Sequence, residues 1–163
     1  MVVRLPISTL LSGHTIVLNL LSNQRDNLFA ELIDRIPGIH ARPQARQSLL
    51  TAVCEREQMH TTALGDGVAI PHARNAIDGV TDHPVVVFGR HSQGIAYGAS
   101  DGRPVQLFFL LIAPNVSQHL QILAQLSRLL REPDLLQALR QVADSADVIQ
   151  HIHQAEKRLG LFP

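Results

Sequence analysis

The sequence has little of several features that mark particular classes of protein. Its 163 residues include one cysteine and no tryptophan, and 14 basic side chains balance 14 acidic ones. The single cysteine, Cys54, cannot form an internal disulfide framework or a cysteine-rich zinc site. Binding to nucleic acid or to an anionic membrane needs a basic surface, whereas the formal net charge is zero and no run of lysine or arginine is present. The sequence therefore predicts neither a nucleic-acid partner nor a membrane partner.

Long hydrophobic runs are also absent. The longest wholly apolar segment, from Leu107 to Ala113, is far shorter than the roughly 20 residues of a membrane-spanning helix. Near the amino terminus, Ser8, Ser12 and His14 interrupt the apolar residues, so we expect no signal peptide and a cytoplasmic location. Because no repeat, low-complexity segment or linker is visible, residues 1–163 are predicted to form a single domain.

Apolar residues recur at helical spacing in several segments of the chain. A serine or asparagine before such a segment, or a proline in its first turn, indicates where a helix begins. The predicted helices start near Ser22 or Asn23, Pro43, Asn115 or Ser117, Pro133 and Ser145. The first of them is expected to end at Pro37-Gly38, because this pair of residues stops a helix.

Short continuous apolar runs bounded by glycine and proline fill the middle of the chain. These runs are GVAI, PVVVFG and PVQLFFLLIAP, and TIVLNLL near the amino terminus is predicted to be a first strand. Apolar runs without alternation are typical of strands that are buried on both faces, which requires helices on each side of the sheet. The sequence therefore predicts an α/β fold in which a sheet is sandwiched between helices on both faces.

One histidine stands at a position that suits a functional site. His72 directly follows Pro71 at the end of GVAI, and Gly65 and Gly67 lie in the loop before this strand. Pro71 sets the angle at which the strand ends, and the sites of α/β proteins lie at the carboxyl ends of strands. An imidazole there can act as a base, a metal ligand or a nucleophile, since much of it is neutral at pH 7. A structural or solvent-exposed histidine fits the same pattern.

Two further residues suit the same site. His119 lies near the first turn of the leucine-rich helix, on its apolar face, so its ring is expected to point toward the core. Arg56 ends the second predicted helix, just before the loop that leads to His72. Each residue also has an ordinary interpretation. His119 can be a half-buried core histidine, and Arg56 can interact with the helix terminus, Glu55 or Glu57.

Three segments in this order resemble a known family of bacterial proteins. They are REQMHTTALGDGVAIPHAR, DGRPVQLFFLLIAP and HLQILAQLSRLL, and together they resemble the IIA domain of the phosphoenolpyruvate-dependent phosphotransferase system. The resemblance is to the fructose and mannitol class, which includes the nitrogen-regulatory IIA proteins, and it covers nearly the whole chain. It implies the mixed-sheet fold of mannitol-type IIA domains, and a phosphotransferase component that needs no cofactor.

The resemblance also implies a role for each candidate residue. His72 matches the histidine that accepts a phosphoryl group from phospho-HPr, and His119 matches a second histidine that stabilises this group. Arg56 matches the arginine that binds phosphoryl oxygens. Thr62 falls on a hydroxyl position of the family loop and is expected to donate a hydrogen bond. The implied partners are phospho-HPr as the donor, and either a IIB domain or a regulated protein as the acceptor.

Three interpretations of function stay open at this point. In the first interpretation, phosphate passes from His72 to a IIB domain for sugar uptake. In the second, the phosphorylated state of the protein controls other proteins, as in the nitrogen branch. The segment REQM, in a chain that carries the IIA domain alone, favours the nitrogen branch. The third interpretation is a ligand-sensing or protein-interaction module that is not phosphorylated and whose histidines are structural. No metal site is predicted, since His151 and His153 stand two apart in a helix and do not share a face.

Overall fold

The computed structural model describes residues 4–77 and 79–162, in which helices pack against both faces of a five-stranded sheet. The strands are β1 (Ile16–Val17), β2 (Ala63–Gly65), β3 (Val68–Ala69), β4 (Val85–Ile95) and β5 (Val105–Ile112). The helices are α1 (Arg25–Ile33), α2 (Pro43–Met59), α3 (Val116–Leu129), α4 (Pro133–Gln141) and α5 (Ser145–Arg158). Short 3-10 turns occur at Ile7–Leu10, Gly13–Thr15 and Ile39–Ala41. None of the helices in these two ranges is long and apolar enough to cross a bilayer.

The sheet is mixed, with the strand order β1-β4-β5-β3-β2, which confirms the predicted fold class. β4 and β5 pair antiparallel, whereas β1 runs parallel to β4 and β3 runs parallel to β5. β2 is antiparallel to β3, with Ala63 opposite Ala69. The carboxyl ends of β3 and β5 and the start of β2 therefore lie at the same edge of the sheet.

The continuous apolar runs divide between two cores, because successive residues of a strand point to opposite faces. In β5, Leu107, Phe109 and Leu111 belong to the core formed with α3, α4 and α5. Phe108 and Leu110 belong to the other core, formed with α1 and α2. None of these five side chains is more than 1% exposed. A strand buried on both faces needs apolar residues at every position, and this is the origin of the runs without alternation.

The structure differs from the sequence prediction at the start of the first helix. α1 begins at Arg25 rather than after Ser22 or Asn23, and no side chain caps it. A tertiary hydrogen bond engages the side chain of Asn23, and a bond to Glu31 of α1 engages the backbone of Ser22. Asn23 Oδ1 accepts from His91 Nε2 at 3.0 Å, and the Glu31 carboxylate accepts from the Ser22 N–H at 3.1 Å. The helix also ends at Ile33, before the Pro37-Gly38 pair.

Other boundaries depart from prediction to a smaller extent. The segment TIVLNLL contains only the two-residue β1, and β4 extends beyond its apolar run to Ile95. β2 is a strand that the sequence did not predict. It is short and partly exposed at the edge of the sheet, and so it has no continuous apolar run to indicate it. The predicted starts at Pro43 and Pro133 are confirmed, and Asn115 rather than Ser117 caps α3.

A buried carboxylate holds the amino-terminal segment to α5. Glu156 is fully buried, and it accepts hydrogen bonds from the Ser8 hydroxyl at 2.6 Å, the Ser8 N–H at 3.3 Å and the Ile7 N–H. A carboxylate that has lost its hydration needs such donors to stay in the core. Its removal would leave two backbone N–H groups without an acceptor inside the protein.

We expect Glu156→Ala to lower the free energy of unfolding by about 3 kcal/mol, because three donors lose their shared buried acceptor. Urea denaturation followed by circular dichroism measures this change. Glu55→Ala removes an exposed glutamate of α2 and is the matched control, with an expected change below about 0.5 kcal/mol. Equal losses of stability in the two variants would contradict the anchoring role of Glu156.

Candidate functional site

His72, His119 and Arg56 lie at one edge of the sheet. His72 comes just after β3, His119 lies in the first turns of α3 beyond β5, and Arg56 lies in the last turn of α2 before β2. The segments that follow β3 and β5 and the segment that precedes β2 meet at this edge, because β3 and β5 are parallel and β2 runs antiparallel to β3. The topology thus brings together side chains from three distant parts of the chain, at the carboxyl ends of two parallel strands.

The backbone holds the His72 ring in one orientation. The Leu111 N–H donates to the Pro71 carbonyl at 3.1 Å, which continues the parallel pairing of β3 with β5 as far as His72. His72 Nδ1 lies 2.7 Å from the carbonyl oxygen of Ile70. Since a carbonyl oxygen can only accept, Nδ1 carries the hydrogen and donates it, and the neutral ring keeps a free lone pair on Nε2.

Burial lowers the pKa of His72 below its ordinary value of 6.5, because the charged imidazolium loses hydration. The hydrogen bond to Ile70 opposes this shift of the pKa. Of the two nearby charges, Arg56 lowers the pKa further and Glu57 raises it. The ring is therefore neutral at pH 7, the state in which an imidazole nitrogen is a nucleophile.

His119 places a second imidazole beside the first. The ring centroids of His72 and His119 are 5.3 Å apart, and the two planes are tilted by 58°. The Asn115 side chain accepts from the Gln118 N–H at 3.0 Å, which fixes the start of α3 one turn before His119. Burial lowers the pKa of His119, and the neighbouring His72 lowers it further. A buried His72 and a half-buried His119 thus form a neutral pair.

Arg56 retains hydrogen-bond donors that an anion can use. It is half-buried, and its Nη1 donates to the His60 carbonyl at 2.7 Å. Within the described residues it forms no salt bridge, so neither Glu55 nor Glu57 is its ion-pair partner. A guanidinium has five N–H donors, and a single bond to a carbonyl leaves most of them available.

Thr62 is buried and bonded to Glu57. The Thr62 N–H and hydroxyl donate to the two Glu57 carboxylate oxygens at 2.8 Å and 2.6 Å. The Tyr97 hydroxyl lies 3.1 Å from Thr62 Oγ1. The Thr62 hydroxyl has one hydrogen, and Glu57 already accepts it. A hydrogen bond from Thr62 to a phosphoryl group would therefore require the Glu57 contact to be exchanged.

Glu57 and the hydroxyl of Tyr97 contact Thr62, although the motif does not single out either residue as part of the site. A sequence signal exists for Glu57, because Leu49, Val53 and Glu57 follow one another at intervals of four and so share the buried face of α2. Burial raises the pKa of the Tyr97 hydroxyl, and the Glu57 charge acts in the same direction. Tyr97 therefore stays protonated and can donate to Thr62.

Other chemically reactive groups do not extend the site. Burial raises the pKa of Cys54 to about 11, so this thiol is protonated at pH 7. Among residues 4–77 and 79–162, no group of three His, Cys, Asp or Glu side chains is arranged to hold a metal ion. The candidate site therefore consists of two neutral imidazoles and a guanidinium.

Comparison with known proteins identifies the family. The model for "Phosphoenolpyruvate-dependent sugar phosphotransferase system, EIIA 2" matches residues 9–155. The chain belongs to this EIIA family. The membership confirms the resemblance carried by the three sequence segments.

Relatives of this EIIA chain come from both functional branches. It is 32% identical over 153 residues to the fructose-specific EIIABC component of Bacillus subtilis, covering 93% of this chain and 24% of that protein. It is 33% identical over 143 residues to a nitrogen regulatory protein of Bradyrhizobium diazoefficiens, covering 86% of this chain and 90% of that protein. The chain thus spans a minor part of the Bacillus relative and most of the Bradyrhizobium one.

Solved structures share the EIIA fold. The nitrogen regulatory protein IIA-Ntr of Neisseria meningitidis has a TM-score of 0.78 at 26% identity, covering 90% of this chain and 98% of that one. The mannitol IIA enzyme of Escherichia coli, in complex with phosphorylated mannitol IIB, has a TM-score of 0.74 at 19% identity, covering 88% and 97%. At the lower identity, the likeness supports the fold alone.

We expect NMR titration of the His72 and His119 rings to give midpoints below pH 6.5, because burial disfavours the charged forms. At pH 7 the nitrogen shifts of His72 should report a hydrogen on Nδ1 and a bare Nε2. The His72→Gln and His119→Gln variants assign the two signals.

The same shifts link folding to pH. As the pH falls, His72 and His119 take up protons near pH 6.5 in the unfolded chain but only at lower pH in the folded protein. The free energy of unfolding should therefore fall as the pH drops below 6.5. A titration midpoint above pH 6.5 would contradict the effect of burial on these rings, and a hydrogen on His72 Nε2 at pH 7 would contradict the assigned tautomer.

Proposed function

We propose that this EIIA chain is a phosphocarrier in which His72 accepts a phosphoryl group from phospho-HPr. The observation that carries the proposal is the hydrogen bond from His72 Nδ1 to the Ile70 carbonyl, which leaves Nε2 with a free lone pair. The lowered pKa of the ring keeps this lone pair available at pH 7. Membership of the EIIA family supports phosphoryl transfer as the class of reaction.

In the proposed step, His72 Nε2 attacks the donor's phosphohistidine in line with the phosphorus–nitrogen bond that breaks. A new phosphorus–nitrogen bond forms on Nε2, and the electron pair of the broken bond returns to the donor imidazole. His72 keeps its Nδ1 hydrogen throughout, so its ring gains positive character as phosphate arrives. The Ile70 carbonyl then accepts from a more charged N–H, which strengthens this hydrogen bond.

Arg56 and His119 are proposed to stabilise the phosphoryl oxygens. Phosphoryl transfer depends mainly on positioning and on neutralising the charge of these oxygens. The free N–H groups of Arg56 can form a bidentate hydrogen bond with a phosphate. The ring of His119 lies beside that of His72. A phosphate on His72 raises the pKa of His119, which favours a second N–H donor. Thr62 is a further candidate donor if its contact with Glu57 is exchanged.

Exposed apolar side chains beside the histidine pair suit docking of a partner domain. Val116 and Leu120 stand on α3 on either side of His119 and are 63% and 58% exposed. Met59, at the end of α2 near Arg56, is 64% exposed. Such side chains bury readily in an interface. We propose that phospho-HPr, and then an acceptor such as a IIB domain, bind over this surface, which puts the chain in the cytoplasm with its donor.

Within the family, we propose nitrogen-type regulation rather than sugar transport as the outcome of phosphorylation. The support is the alignment with the Bradyrhizobium nitrogen regulatory protein over 90% of its length. The Neisseria IIA-Ntr structure adds a likeness in fold together with 26% identity. A fructose-type transport role is the alternative, and the Bacillus relative supports it. Phosphate transfer to a purified fructose IIB domain would favour transport, whereas phosphorylation without such transfer would favour regulation.

The primary test is phosphorylation by phosphoenolpyruvate, enzyme I and HPr, read by intact mass and by acid lability. We expect one acid-labile phosphate on the wild type and none on His72→Ala, because Nε2 of His72 is the proposed acceptor atom. Arg56→Gln and His119→Gln should be phosphorylated about 100-fold more slowly, since each removes one stabilising donor. His40→Ala, an exposed histidine outside the site, is the control.

An unmodified wild type, with HPr shown to be active on another acceptor, would overturn the proposal. The protein would then be a ligand-sensing or interaction module with structural histidines. A phosphate that persists on His72→Ala would show that another residue is the acceptor.

We expect Leu120→Asp to raise the KM for phospho-HPr about tenfold or more while kcat stays within about twofold, because it places an unpaired charge in the docking surface. Initial rates at varied HPr concentration measure both constants. Gln137→Asp, an exposed change on α4, is the matched control. A fall in kcat with an unchanged KM would contradict a docking role for this residue.

A further inference from the structure

A basic groove lies at the edge of the sheet opposite His72. It borders Gly67 before β3 and Pro104 before β5, whereas the histidine pair follows the ends of these two strands. The groove is an open cavity of about 500 Å³. This volume lies in the range of pockets that hold small organic ligands, and it exceeds what a single inorganic ion fills.

Positive charge is concentrated in this groove. Three guanidinium groups line it, from Arg103, Arg131 and Arg140, against one carboxylate, that of Asp66. Asp66 Oδ1 lies 3.4 Å from Arg103 Nη1, and both side chains are exposed. The guanidinium of Arg131 has no hydrogen-bond or ion-pair partner among the described residues. Since the formal net charge of the chain is zero, the basic groove is a local feature rather than a result of overall composition.

The Arg140 guanidinium is held in place before any ligand arrives. Its Nε donates to Gln106 Oε1 at 3.0 Å, and its Nη2 donates to the Asp66 carbonyl. Gly67 allows this close approach, because a Cβ at that position would lie 3.2 Å from Arg140 Nη2. A pre-positioned guanidinium loses little conformational freedom on binding, which is the property of a built anion site.

Two further features of the groove suit an organic phosphate. α4 begins at Pro133, which lines the groove, and no side chain caps it, so the positive end of this helix lies beside the arginines. The exposed prolines Pro104 and Pro133 supply an apolar wall, and the buried Leu136 also borders the groove. Guanidinium groups select phosphate oxygens, and the apolar wall suits the carbon skeleton to which the phosphate is attached.

We propose that this groove binds a small organic phosphate, with its phosphate on Arg103, Arg131 and Arg140 and its organic part against Pro104 and Pro133. The groove is separate from the histidine pair, and the proposal does not depend on phosphorylation of His72. The two regions nevertheless share one structural unit, because the loop that contains Asp66 and Gly67 joins β2 to β3, the strand that ends at His72. A bound ligand would therefore contact the turn of the hairpin whose second strand leads to His72.

The test is a titration of the nitrogen-15-labelled full chain with AMP and with glucose 6-phosphate at constant ionic strength. We expect shifts of the backbone amides of Gly67 and Gln106 and of the amides near Arg131. Adenosine, which lacks the phosphate, should produce none of them. The double variant Arg103→Gln/Arg131→Gln should bind AMP and glucose 6-phosphate at least about tenfold more weakly, because two charge-assisted contacts with the phosphate are lost.

The double variant Arg35→Gln/Arg158→Gln is the matched control, since it removes the same charge from exposed positions outside the groove. It should bind as the wild type does. The His72→Gln variant should also bind both probes normally, which separates this proposal from the proposed phosphocarrier function. No shifts with either probe, equal weakening in the two double variants, or shifts confined to the surroundings of Arg56 and His72 would overturn the proposal.

Discussion

The hydrogen bond between His72 Nδ1 and the Ile70 carbonyl is the contact on which the candidate site depends. It selects one tautomer, it aims Nε2 away from the backbone, and it prepares the ring for positive charge. The contact exists because Pro71 ends the strand at a fixed angle and because Leu111 continues to pair with the chain at this point. The other site groups, Arg56 and His119, matter only in relation to a ring whose orientation the backbone has already set.

The double burial of the sheet explains where this site lies. Helices cover both faces, so the open positions are at the two edges where strands begin and end. Parallel pairing of β3 with β5 brings His72 and α3 to one edge. β3, β5 and α4 begin at the opposite edge, where the arginines of the basic groove also lie. One short hairpin, β2–β3, spans the distance between these two regions.

Some parts of the structure can be predicted from sequence because they depend on local physics. Proline at Pro43 and Pro133 starts a helix with little influence from the rest of the protein, and the apolar run before Ala113 is typical of a doubly buried strand. The start of α1 could not be predicted, because Asn23 is used in a tertiary hydrogen bond to His91 instead of as a cap. Thr62 is a similar case, since a buried Glu57 that is close in space accepts its hydrogen.

The sequence by itself determined the α/β class, the family and the three residues that are candidates for phosphoryl chemistry. These follow from periodicity, from strand composition and from a motif whose residue types are specific. Only the tertiary structure decided which nitrogen of His72 is free, that Arg56 has no acidic partner among the described residues, and that Thr62 is bonded to Glu57. The reason is physical. A hydrogen bond or an ion pair depends on distances between side chains remote in sequence, and pairing of the strands sets those distances.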